Sequence, residues 1–233
     1  MPIRAKFFVT FVIATASPIL VWALASRDTA NAGPFAIYML IAIAASTLKV
    51  TLPGLEGTIS PAFVLVVVSA LTLGKAETVL IAATSAFVQC IWKPAKRPAA
   101  IQVLFAACTL AIASYSASNA IGWIAGGAEP GYGLASVASV VLFGVNSTLV
   151  AIVLCLVQRE SLTHVWRLCN AWSFPYYLAG SIIAGAVTSI KASSDALILV
   201  SIPMMYALFV SYRKFAGREF AGRQVRVPHS TVE

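Results

Sequence analysis

Phe7-Phe8-Val9-Thr10-Phe11-Val12-Ile13-Ala14-Thr15-Ala16-Ser17-Pro18-Ile19-Leu20-Val21-Trp22-Ala23-Leu24 runs without a charged residue. A helix crosses the roughly 30 Å hydrocarbon layer in about 17 to 25 residues, so a run of this length is able to span it. Arg4 and Lys6 precede the run, as in a secretory signal, and Ala23-Leu24-Ala25 resembles a small-residue cleavage site. The length suits an uncleaved first span better, and that is the expectation.

Outward from this stretch the pattern repeats to the far end of the chain. Apolar runs lie near 7–25, 35–51, 59–73, 76–92, 99–124, 134–157, 171–190 and 196–212. The breaks between them carry turn chemistry, among them Leu52-Pro53-Gly54, Gly74-Lys75, Gly126 to Gly133 and Gln158 to Asn170. The fold class expected is all-α, a polytopic transmembrane helical bundle of about eight spans. The pair in 59–92 meets at Gly74 with almost no loop, so six spans and one re-entrant pair is the alternative. Residues 1–212 form the membrane domain and 213–233 a short basic tail.

Of the 233 residues 60% are apolar and 10% charged, and the mean hydropathy is +0.89. Soluble domains carry near 25% charged residues, so a water-facing globule is excluded. The formal charge of +8 raises the question of nucleic acid. Its distribution answers otherwise. With a cytoplasmic N-terminus, thirteen Lys and Arg side chains fall inside and only Arg27, Lys75 and Lys191 outside, each with Asp28, Glu77 or Asp195 nearby. That is positive-inside orientation in a bacterial-type inner membrane with both termini cytoplasmic, and no nucleic-acid partner is expected. Lys93, Lys96 and Arg97 form the densest basic loop and are the candidate contact for a protein partner on the inner side.

The least ordinary segment is Ser46 to Pro61, which packs a lysine, a glutamate, two prolines, two glycines and several hydroxyls between apolar runs. Polar groups near hydrocarbon are expensive, which makes Lys49, Glu56, Thr58 and Ser60 candidate ligand-binding residues lining a cavity. The plainer reading is an interfacial turn with Lys49 snorkelling and Glu56 solvated. Lys49 to Pro61 is expected to pack against the bundle interior instead of lying free in water, where Lys49 and Glu56 are able to pair. Gln89, Gln102, Asn119 and Asn146 lie within predicted spans, where an amide usually bonds a neighbouring helix, and Asn146 is kept as a candidate site residue. Span seven opens with Trp172-Ser173-Phe174-Pro175-Tyr176-Tyr177. Headgroup anchoring explains these aromatics most simply, with small residues at Gly180, Ala184 and Gly185 for close helix approach. An aromatic ligand box containing Tyr176 is the sharper reading.

No nucleophile with a paired base, HExxH or phosphate loop occurs, and Cys90, Cys108, Cys155 and Cys169 have no metal-like spacing. No enzyme, metal or cofactor is expected.

Leu48-Lys49-Val50-Thr51-Leu52-Pro53-Gly54 through Ser60, Val88-Gln89-Cys90-Ile91-Trp92-Lys93 with Arg97-Pro98, and Trp172 to Gly180 together resemble one bacterial family. It is the N-terminal membrane region of signalling proteins that carry an HD-GYP phosphodiesterase or GGDEF diguanylate cyclase domain. The resemblance runs to about Tyr212 and implies a sensor that passes a signal to a cytoplasmic domain. Neither output motif occurs in this sequence, so a free-standing, non-enzymatic sensor or interaction module is expected. A looser likeness, through Leu73-Gly74-Lys75, is to the substrate-binding subunits of energy-coupling-factor vitamin transporters. A transport subunit is therefore one rival reading, and an accessory subunit of a larger membrane complex is another.

Overall fold

The computed structural model describes residues 1–27, 32–51, 58–94, 97–127, 129–159, 161–189 and 201–214. Its helices are α1 (Ile3–Ala25), α2 (Ala32–Thr47), α3 (Ala62–Thr72), α4 (Lys75–Ile91), α5 (Ala100–Ala125), α6 (Tyr132–Gln158) and α7 (Leu162–Ser189). A last helical stretch, α8, covers 201–214. Between α2 and α3 two short strands, β1 (Val50–Thr51) and β2 (Thr58–Ile59), pair antiparallel with Val50 opposite Ile59 and Thr51 opposite Thr58. The architecture is an all-α membrane bundle, as expected, and each expected span has a helix at its centre. Helices α1, α5 and α6 are long and apolar enough to cross a membrane by themselves.

Three boundaries differ from the hydropathy pattern. Span two was expected to reach residue 51 and span three to begin at 59, but α2 stops at Thr47 and α3 starts at Ala62, because residues 50–51 and 58–59 are strand. Pro61 explains part of this: it stands at the N-cap of α3 with φ −68°, and its ring disfavours helical backbone in the residue before it. The expected loop from Gln158 to Asn170 is the third difference. Arg159 takes a left-handed conformation that ends α6, and α7 begins already at Leu162. A polar run is no barrier to a helix whose charged side chains face water, and Arg167 is exposed while Val165 is buried.

At 28 residues α7 is about 42 Å long, more than the hydrocarbon needs, so its first turns reach beyond the bilayer. Helix α3 is the opposite case. Its 11 residues measure about 16 Å, half a crossing, and every side chain from Ala62 to Ser69 is buried. An apolar helix covered on all sides is a core element, and the main apolar cluster of the bundle is built around it.

Helices α6 and α7 run antiparallel in a register that small residues make possible. A Cβ on Gly185 would come within 2.9 Å of the Tyr132 Cα, and one on Gly180 would collide with the Phe63 ring. Ser181 donates to Ser136 at 3.3 Å between these two contacts. Ala184 is buried, so the small residues of α7 serve close helix approach, as expected.

Candidate functional site

The hairpin lies level with the last turns of α4 and α8. Phe63, the second residue of α3, packs tilted against Tyr176 and Tyr177, and Tyr177 packs on Phe143, the twelfth residue of α6. Extended backbone inside an apolar bundle survives only where protein covers it and satisfies its polar groups. Gln89 on α4 does so: its Nε2 donates to the Thr58 carbonyl at 2.6 Å and to Thr58 Oγ1 at 3.2 Å, while its Oε1 accepts from Ser60 Oγ at 2.7 Å. On the other side Val50 is buried in a small cluster with Phe209 and, at its edge, Ile59 and Tyr212. The hairpin is therefore held between α4 and the end of α8.

Of the sequence-predicted residues, Thr58 and Ser60 meet at Gln89 and point into the bundle. Lys49 stands half-buried just before β1. Glu56 and Lys96 lie outside the described residues, and with Glu56 the proposed ion pair to Lys49. Lys93 and Arg97 are exposed, and the Lys93 ammonium is 5.7 Å from the centre of the Trp92 ring.

Tyr176 does not anchor at the headgroups. Because α7 starts ten residues before Trp172, the aromatic motif falls in mid-helix, and Tyr176 is 0% exposed in the core. Its ring lies 5.1 Å from Phe63 and 4.8 Å from Tyr212 between ring centres. Asn146 takes part through the neighbouring residue, its side chain hydrogen-bonding the Tyr177 hydroxyl. The Tyr176 hydroxyl has no hydrogen-bond partner among the described residues.

The remaining amides divide. Asn119 accepts from Lys75 Nζ at 2.9 Å, an interhelical bond of the expected kind. Gln102 instead accepts from the Ala99 N–H at 2.9 Å and caps its own helix. Glu77, expected beside Lys75 on the outer surface, is 2% exposed, with its carboxylate folded back on Gly74.

Sequence reasoning treated Gln89 as packing glue, and Phe63, Tyr177 and Phe209 were not singled out at all. An amide within an apolar span is a usable signal, but its partners lie 29 and 31 residues away in sequence. For Phe63 and Phe209 nothing local separates a site residue from any other apolar side chain.

No curated protein and no solved structure matches the chain. The family model of the membrane-associated sensor domain MASE9 matches residues 3–214. The match takes in every described helix together with the hairpin and the tyrosine cluster, and the chain belongs to the MASE9 family.

Proposed function

We propose that this chain is a non-enzymatic sensor module of a bacterial inner membrane, with both termini in the cytoplasm, that reads a small ligand or a membrane partner inside the bundle. The output is a displacement of α8 relative to the hairpin, felt by a cytoplasmic protein at the basic inner face around Lys93 and Arg97. One observation carries this reading: the hairpin is wedged between Gln89 and Phe209, so a shift of α3 or α4 changes what the end of α8 packs on. The likeness to membrane regions that precede HD-GYP and GGDEF domains supports a cyclic-dinucleotide enzyme as the recipient. A vitamin-type transport subunit and an accessory subunit are the rival functions, and neither draws on a specific contact of the bundle.

The test is a reporter whose activity depends on its membrane anchor, fused after Lys214, with Gln89→Leu compared against wild type at matched abundance. Altered basal output supports coupling through the hairpin. Unchanged output, with the hairpin demonstrably loosened by faster cysteine labelling at position 58, overturns it.

A further inference from the structure

The rings around Tyr176 form a continuous file that ends at the lipid. Centre-to-centre distances are 5.1 Å from Tyr176 to Phe63, 4.5 Å from Phe63 to Tyr177, 5.0 Å from Tyr177 to Phe143 and 5.6 Å from Phe143 to Phe174. Phe174 is 48% exposed on the outside of the bundle. On the inner side of this file, between Phe63 and Tyr212, is a fully buried Tyr176 hydroxyl with no hydrogen-bond partner among the described residues, while the adjacent Tyr177 hydroxyl is already taken by Asn146. Leaving a buried hydroxyl unpaired is costly, and phenylalanine would fill the same space without that cost. An unpaired hydroxyl on an aromatic path invites a ligand that brings both a flat apolar body and one oxygen acceptor.

We infer that the Phe63–Tyr176–Tyr177 cluster is a binding site for a planar, lipid-soluble carbonyl compound of the quinoid class, which enters from the bilayer past Phe174 and accepts a hydrogen bond from Tyr176. The rings meet tilted by 35 to 57°, and a flat ring entering between them regains aromatic contacts of the same kind, which an aliphatic chain does not. The site rests on the sensor reading and deepens it, because its walls include α3, which follows the hairpin directly, and, through Tyr212, α8, whose displacement relative to the hairpin is the output.

The experiment is equilibrium binding of a short-chain benzoquinone to the full chain in phosphatidylcholine nanodiscs, beside naphthalene as a flat molecule without oxygen. Wild type and Tyr176→Phe are compared, the ring being kept and only the hydroxyl removed. Saturable one-to-one binding of the quinone that weakens roughly tenfold in Tyr176→Phe, with naphthalene indifferent to the substitution, supports the site. Equal quinone affinity in both proteins, or no saturable binding to wild type, overturns it. Gly180→Val, which drives Phe63 out of place, is the second variant and is expected to abolish quinone binding. Retained affinity in that variant also counts against the site. Reporter output in Gln89→Leu answers the coupling question independently, so loss of one reading leaves the other measurable.

Discussion

Gln89 and Thr58 meet across 31 positions of sequence, side-chain amide on backbone carbonyl at 2.6 Å, and the bond satisfies the carbonyl of the first residue of β2. A carbonyl left bare inside an apolar bundle is costly. Gln89→Leu removes this bond and the one to Ser60 together, and is expected to cost about 1 to 3 kcal/mol of stability. Reversible unfolding in mixed micelles measures it, and Gln89→Glu, which retains the acceptor toward Ser60 but loses the donor to Thr58, is expected to behave almost as badly. A midpoint unchanged in both variants removes Gln89 from the account of the hairpin.

Gly180→Ala tests the close approach of α7 to α3. The added methyl collides with the Phe63 ring, and Tyr176 and Tyr177, packed against that ring, resist its displacement. Overpacking of this kind costs about 1 to 3 kcal/mol, and Phe63→Leu in the same chain is expected to return part of the loss. Thermal unfolding of the two single variants and the double variant gives the coupling directly. Strict additivity would mean that the two residues do not touch.

Tyr177→Phe and Asn146→Ala remove the two halves of one bond between α7 and α6. Interhelical bonds in membranes are worth about 1 kcal/mol, so each variant is expected to lose that much and the double variant little more. A double-mutant cycle on unfolding free energies reports it, and a coupling of zero denies the bond any role in stability.

The proposed orientation rests on the charge bias it produces, thirteen basic residues inside and three outside. Reporter fusions at both ends are expected to be active only with the reporter that works in the cytoplasm. Neutralising Lys93, Lys96 and Arg97 together is expected to weaken the topology of the α4–α5 pair or the contact with an inner partner. An external C-terminus would dismantle both the even number of crossings and the proposed inner face.

The apolar runs, the turn at Gly74 and the charge bias were legible in the sequence because each is a property of neighbouring residues, summed over the length of one helix. Ser46 to Pro61 was also recognisable as unusual, since its polar and ring-bearing residues interrupt an otherwise apolar chain. The tertiary structure alone decided what became of them. Val50 and Thr51 read as the tail of a span, yet they are strand, because Thr58 and Ile59 pair with them and Gln89 and Phe209 cover the result. Tyr176 read as a headgroup anchor and is a core residue, because α7 starts at Leu162 and carries its aromatic motif down to the level of Phe63. Hydropathy measures the preference of a segment for the membrane. Its depth there, and which of its side chains meet, depend on contacts with residues tens of positions away, which no local pattern encodes.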